Sequence, residues 1–131
     1  MEDNSEGIDL ILIEDNDYDA ELALRVLKKH KLVNNALHFT TAEMALSFLK
    51  SSNNMPKIAL IDMNLTGMSG VEFLRCLKQQ KKTRDIKTAF LTGHVSESGF
   101  IDTFILSTST FIQKPLNASK VLEIVATRSD N

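Results

Sequence analysis

The chain has 131 residues, of which 43% are hydrophobic and 24% are charged, a composition typical of one globular domain. We therefore predict a single domain over residues 1–131, with its core at about residues 8–127. The net charge is −2 and the basic residues form no block, which argues against nucleic acid as a partner. There is one cysteine, Cys76, and neither a signal peptide nor a membrane-spanning apolar run. We expect a cytoplasmic protein with no membrane partner and no internal disulfide.

The first predicted strand covers residues 8–13, an almost uninterrupted apolar run that stops at Glu14 and Asp15. Asn16 is a suitable N-cap for the following helix, which we expect to fade near residues 29–30. Residues 36–39 form a weaker strand candidate. This first part of the chain predicts a strand, a helix and a strand.

The third predicted strand covers residues 58–62 and ends in Asp62. Its apolar residues do not alternate with polar ones, which is typical of a strand buried on both faces. Open α/β sheets bind ligands at this end of their strands. An Asp-x-Asn sequence before two glycines also suits an ordinary turn, so this strand alone leaves both interpretations open.

Capping boxes mark the start of two helices. Thr40 and Glu43 have the required spacing before the second helix, with Thr40 as the cap. Ser69 and Glu72 have it before the third helix, which we expect to reach about Gln79. These signals predict that helices follow the second and third strands.

The last part of the chain contains two more predicted strands. Residues 88–91 lead to Thr92, and residues 111–113 lead to Lys114. The helix expected after Ser96, between these strands, has weak propensity because it contains a glycine and several β-branched residues.

A final helix follows the fifth strand. Asn117 is its predicted cap, and we expect Val121, Leu122 and Val125 to pack inward. Five strands that alternate with five helices predict an α/β fold, with a parallel sheet, right-handed crossovers and helices on both faces.

Polar residues collect at the carboxyl ends of the predicted strands. They are Glu14, Asp15, Asp62, Thr92 and Lys114. Three crowded carboxylates repel one another unless a cation joins them, and oxygen ligands suit Mg²⁺ or Mn²⁺ better than zinc. A lysine and a hydroxyl would suit the oxygens of a phosphoryl group, and Asp62 would be the nucleophile that forms an aspartyl-phosphate.

The chain resembles a response-regulator receiver domain over residues 8–127, of the single-domain kind that includes chemotaxis-type receivers. Such receivers place an acidic pair, a phosphoacceptor Asp, a Thr or Ser and a Lys-Pro after successive strands, and the five residues above stand in that order. The spacings fit as well, with 92 − 62 = 30 and 114 − 92 = 22 residues. The sequence of residues 14–17 also resembles receivers that partner phytochrome-type kinases. The resemblance implies a doubly wound, flavodoxin-like sheet with strand order 2-1-3-4-5.

The resemblance also implies individual roles. Glu14, Asp15 and Asp62 would bind the metal with the backbone carbonyl of Asn64. Thr92 and Phe111 would switch position together on phosphorylation, and the bond before Pro115 is often cis. Two departures are Thr66, where a proline is common, and residues 107–110, where a glycine-containing turn is usual.

The resemblance implies a sensor histidine kinase or phosphotransfer protein as the phosphoryl donor, and a downstream protein partner. A homodimer could form through the helix after Ser96, the fifth strand and the last helix. The chain would catalyse only its own Mg²⁺-dependent phosphorylation and dephosphorylation, so we do not expect an enzyme acting on other substrates.

Three points stay open at this level. The chain could be a receiver-like interaction module that no longer switches. A small hydrolase using an aspartyl-phosphate would need a substrate pocket or cap domain, for which 131 residues leave no room. His94, two residues after Thr92, could influence how fast water attacks the aspartyl-phosphate, or be an ordinary surface histidine.

Overall fold

A computed structural model describes residues 8–31, 33–93 and 110–127, which form a five-stranded, all-parallel sheet and four helices. The strands are β1 (Leu10–Ile13), β2 (Ala36–Phe39), β3 (Ile58–Asp62), β4 (Lys87–Thr92) and β5 (Thr110–Gln113). The helices are α1 (Asp17–Lys29), α2 (Ala42–Ser51), α3 (Gly70–Lys78) and α4 (Ala118–Thr127). The strand order is β2-β1-β3-β4-β5, which confirms the predicted topology.

Two of the four described helices pack on each face of the sheet. Leu10 and Leu12 of β1 point to the face that packs against α1 and α4, whereas Ile11 and Ile13 point to the face that packs against α2 and α3. Because both faces are buried, the central strands have no polar side to show, and this explains their continuous apolar sequences.

Backbone pairing continues one residue past the ends of three strands. Glu14 N donates to Phe39 O (3.0 Å), Met63 N donates to Leu91 O (3.0 Å), and Lys114 N donates to Thr92 O (2.8 Å). The residues that directly follow these three strands are therefore still hydrogen-bonded to a neighbouring strand or to its end. This fixes the backbone from which the polar side chains project.

Helix α3 begins directly against the end of β3. A Cβ on Gly70 would lie 2.9 Å from Asp62 O and 2.9 Å from Ile61 Cγ2, so this close approach requires glycine. The capping box predicted here is present: Ser69 Oγ accepts from Glu72 N, and Glu72 Oε1 accepts from Ser69 N. The start of α3 is thus fixed by both packing and capping.

The capping box predicted for the second helix is wrong by one residue. The N-cap of α2 is Thr41, whose hydroxyl accepts from Met44 N at 3.1 Å. Glu43 instead accepts from Met68 N in the loop after β3. Thr40 and Thr41 are adjacent hydroxyl residues, and spacing alone does not show which of them starts the helix.

Two other predictions need correction, one on the start of β1 and one on the buried face of α4. Strand β1 begins at Leu10 rather than at residue 8. In α4, Val121 is buried as expected, but Leu122 is 52% exposed and Ile124 is buried in its place. Residues 121 and 124 are three apart and share one face of a helix, whereas residue 122 lies a quarter turn or more away.

Several predictions fall outside the described residues: the helix after Ser96, the environment of His94, the turn at residues 107–109 and the packing of the Val125 side chain. None of the described helices is long and apolar enough to cross a membrane.

Candidate functional site

Three carboxylates converge at the carboxyl edge of the sheet. Glu14 and Asp15 directly follow β1, and Asp62 ends the neighbouring strand β3. One carboxylate oxygen from each lies within 4.8 Å of the others. Glu14 and Asp62 are buried, at 1% and 4% exposure, and Asp15 is half-buried. The acidic residues predicted from the strand ends are therefore brought together.

The Lys114 ammonium reaches into this cluster from the end of β5. Its Nζ lies 3.0 Å from Glu14 Oε1, 3.3 Å from Asp62 Oδ1 and 3.0 Å from Asp19 Oδ2. The lysine is anchored at its backbone by the bond to Thr92 O, and the Lys114–Pro115 peptide bond is cis, as the resemblance implied. One ammonium therefore contacts three carboxylates of different elements.

The pKa values of the site reflect this crowding. Burial raises the pKa of Glu14 to about 7, the charge of Asp62 adds to the rise, and Lys114 opposes it. Burial lowers the pKa of Lys114, but the hydrogen bond to Asp19 and the close contacts with the carboxylates of Glu14 and Asp62 outweigh burial, so its pKa is raised above the usual value. The lysine stays charged, while Glu14 holds a proton more readily than an ordinary carboxyl group.

One buried oxygen of the cluster has no hydrogen bond from any described residue. Glu14 Oε2 accepts from Asn16 N at 3.2 Å, but Glu14 Oε1 accepts none, although Lys114 Nζ is close to it. The Lys114 ammonium offsets the charge of this oxygen, but a buried carboxylate oxygen that accepts no hydrogen bond is also a suitable position for a proton or a second cation. Oxygen ligands of this kind suit a hard divalent ion such as Mg²⁺.

The loop between β3 and α3 is tied to the cluster by hydrogen bonds. Asn64 N donates to Asp62 Oδ1 at 3.3 Å. Thr66 donates to Asp15 Oδ2 through both its backbone N (3.1 Å) and its hydroxyl (3.3 Å). A proline at position 66 would supply neither donor, so the departure from the family pattern gives Asp15 a partner of its own.

The two predicted switch residues lie on the adjoining strands. Thr92 is the last residue of β4 and is 2% exposed. Phe111 is half-buried in β5, and its ring stacks on Phe90 with centroids 5.8 Å apart. Their positions are compatible with a coupled movement, and the switching role itself stays a prediction.

Sequence reasoning missed the contact made by Asp19. The sequence pattern alone indicates only that Asp19 is an acidic residue in the first turn of α1, where a carboxylate favours the helix dipole. A signal was present, because the helix begins just after the strand end that carries Glu14 and Asp15. The first turn of such a helix overlies the site edge, but the contact with Lys114 joins residues 95 positions apart.

Comparison with known proteins gives one consistent family. The family model described as the response regulator receiver domain matches residues 10–126. The chain is 23% identical over 112 residues to the probable methanogenesis regulatory protein FilR2 of Methanothrix harundinacea, covering 82% of this chain and 72% of that protein.

Solved structures agree with the family match. The bacteriophytochrome response regulator AtBRR superposes with a TM-score of 0.81 at 26% identity, covering 89% of each chain. A two-component response regulator from Legionella pneumophila has the same fold, with a TM-score of 0.78 at 24% identity, covering 95% of this chain and 99% of that one. The chain therefore belongs to the response regulator receiver domain family, the receivers of two-component signal transduction.

Proposed function

We propose that this receiver accepts a phosphoryl group on Asp62 from the phosphohistidine of a sensor histidine kinase or phosphotransfer protein. The observation that carries the proposal is the convergence of three carboxylates within 4.8 Å, with the Lys114 ammonium 3.3 Å from Asp62 Oδ1. Asp62 lies at the end of β3, where backbone hydrogen bonds hold the main chain, and the Lys114 ammonium is close to its carboxylate. Both features suit a positioned nucleophile.

Glu14, Asp15 and Asp62 would hold a Mg²⁺ or Mn²⁺ ion together with the backbone carbonyl of Asn64. The donor set contains only oxygen, and the fit is supported by Glu14 Oε1, which accepts no hydrogen bond from the described residues. When bound, the ion would neutralise negative charge on the acidic cluster and on an incoming phosphoryl group. Binding requires Glu14 to lose its proton, so affinity should rise with pH around the raised pKa of Glu14.

The transfer exchanges one bond for another. An oxygen of the Asp62 carboxylate forms a bond to phosphorus while the P–N bond of the phosphohistidine breaks, and the electron pair of that bond stays on the imidazole nitrogen. Lys114 would donate a hydrogen bond to a phosphoryl oxygen, and the Thr92 hydroxyl would donate another. Hydrolysis by water would later restore the carboxylate and release inorganic phosphate.

The signal would leave the molecule through a change of surface. Movement of Thr92 toward the phosphoryl group would free space for the Phe111 ring, which has no hydroxyl to satisfy when it is buried. A downstream protein, or a second copy contacting β5 and α4, would bind the altered surface. The likeness to AtBRR supports a phytochrome-type kinase as donor. We also propose a cytoplasmic location, as expected from the sequence.

The test is the intact mass of the protein after incubation with acetyl phosphate and Mg²⁺. We expect one added phosphoryl group in the wild type and none in Asp62→Asn or when a chelator removes the metal. A beryllofluoride mimic, monitored by NMR, covers the case in which the adduct is hydrolysed too fast to accumulate. Failure of both adduct and mimic in the wild type would favour the interaction module that does not switch.

A further inference from the structure

We propose that Asp19 is a positioning residue that holds the Lys114 ammonium beside Asp62. The inference rests on the proposed function, since it assigns Lys114 to the incoming phosphoryl group. Asp19 is not among the five residues that the sequence pattern singles out, which are Glu14, Asp15, Asp62, Thr92 and Lys114.

The geometry of the contact carries the proposal. Lys114 Nζ donates to Asp19 Oδ2 at 3.0 Å, whereas its approach to Glu14 Oε1 leaves that oxygen without a hydrogen bond. The Asp19 contact is therefore the one that defines a direction for the ammonium. Both side chains are mostly shielded, with 34% exposure for Asp19 and 21% for Lys114.

The backbone of Asp19 is itself fixed. Its N–H donates to Oδ1 of Asn16, the N-cap of α1, at 2.9 Å. The helix start thus determines where the Asp19 carboxylate lies, and this carboxylate determines where the lysine lies. A lysine side chain has four flexible carbons, and a charge-assisted hydrogen bond in the unphosphorylated protein removes that freedom in advance.

Lys114 can satisfy Asp19 and a phosphoryl group together. An ammonium has three donors, so one bond to Asp19 leaves two for other oxygens. A phosphoryl group on Asp62 would arrive at an ammonium already within 3.3 Å of the acceptor carboxylate. Asp19 therefore acts as a tether for the lysine.

The competing explanation is that Asp19 only provides negative charge in the first turn of α1. Asp17 separates the two explanations, because it is an exposed carboxylate in the same turn and makes no hydrogen bond or ion pair with any described residue. Asp17→Asn is thus a matched control for Asp19→Asn. Asp19→Glu keeps the charge and tests rescue.

The first measurement is the reactivity of individual lysines toward acetic anhydride, read by mass spectrometry on the metal-free protein. We expect Asp19→Asn to raise labelling of Lys114 by about tenfold relative to the other lysines, the factor that matches the loss of one charge-assisted hydrogen bond. Asp17→Asn should label like the wild type, and Asp19→Glu should lie between them. Equal labelling of Lys114 in the wild type and Asp19→Asn would overturn the tether.

The second measurement is the affinity for beryllofluoride with Mg²⁺. Asp19→Asn should weaken it by a similar factor, about tenfold, while Asp17→Asn leaves it unchanged. Equal weakening in both variants would show a general charge effect and overturn the positioning role. If the wild type binds no beryllofluoride, the proposed function fails, and the labelling experiment alone decides whether Asp19 tethers Lys114.

Discussion

Glu14 is a buried carboxyl group whose negative charge either a proton or a bound metal ion would neutralise. Its carboxyl group is buried next to Asp62, and one of its oxygens accepts no hydrogen bond from the described residues, although the Lys114 ammonium lies 3.0 Å away. Without a metal, protonation removes the unfavourable negative charge of this buried group, and the pKa of Glu14 is therefore raised to about 7. With a metal, the same oxygen is available for coordination.

The first prediction concerns the contribution of Glu14 to the free energy of unfolding. When a chelator keeps the protein free of metal, this contribution should fall as the pH rises. The folded pKa of about 7 lies above the unfolded value of 4.5, so the folded protein binds the proton more tightly. The contribution is fully present below pH 4.5 and is lost as the pH passes 7, with an upper limit of about 3 kcal/mol. Urea unfolding across this pH range measures it.

Glu14→Gln provides the control, because an amide keeps the shape and does not titrate in this range. Lys114 adds no slope in this window, since a raised lysine pKa alters stability only at much higher pH. We expect the free energy of unfolding of the wild type, relative to that of Glu14→Gln, to fall as the pH rises from 4.5 to 7. A difference that is independent of pH would contradict the assignment.

At the scale of elements, α3 begins in close contact with the end of β3. Gly70 leaves no space for a methyl group, because Asp62 O is backbone and cannot rotate away. Strand β3 and helix α3 are therefore in close contact at this point.

The second prediction is that Gly70→Ala lowers the free energy of unfolding by about 1–3 kcal/mol, the usual cost of overpacking. Gly93→Ala is the matched control, since a Cβ there would have no atom of the described residues within 4 Å. We expect Gly93→Ala to stay within about 0.5 kcal/mol of the wild type in urea unfolding, as ordinary surface changes do. Similar losses in both variants would show that the contact at Gly70 is not the cause.

The elements also show what the sequence could and could not predict. Ser69 and Glu72 announced the start of α3 because both halves of that capping box serve the cap. Glu43 had the same spacing after Thr40, but its carboxylate bonds to Met68 in another loop. Leu122 has an apolar side chain yet faces solvent, because the inward face of α4 follows Val121 and Ile124. Local rules fail where a tertiary contact competes for the same side chain.

At the scale of the whole molecule, the fold was predictable because a parallel sheet buried on both faces has a strong signature. The convergence of Glu14, Asp15, Asp62 and Lys114 also followed, since all carboxyl ends of such a sheet meet at one edge. The tether from Asp19 did not follow, because it depends on the path of α1 over that edge. Side-chain direction across elements is set by packing, which the sequence pattern does not specify.

The third prediction concerns the metal. If Mg²⁺ binds the folded site, it should raise the free energy of unfolding by about 2.7 kcal/mol at a concentration 100 times its Kd. At one fixed concentration of MgCl₂, the gain should be larger at pH 8 than at pH 6, because Glu14 must lose its proton before the metal binds. Thermal unfolding with MgCl₂, against NaCl of equal ionic strength, measures the effect. An equal gain in Asp62→Asn would place the ion elsewhere.

The pairing of Lys114 with Thr92 at the last strand has a consequence for quality control. The acidic residues come from the first half of the chain, and the cation that completes them comes from β5, near the end of the described residues. A polypeptide interrupted before position 114 would lack this cation and the strand that carries it. Under the proposed function, such a fragment would not accept phosphoryl groups from the donor. Incomplete copies of the chain would therefore not compete with the intact protein for phosphorylation.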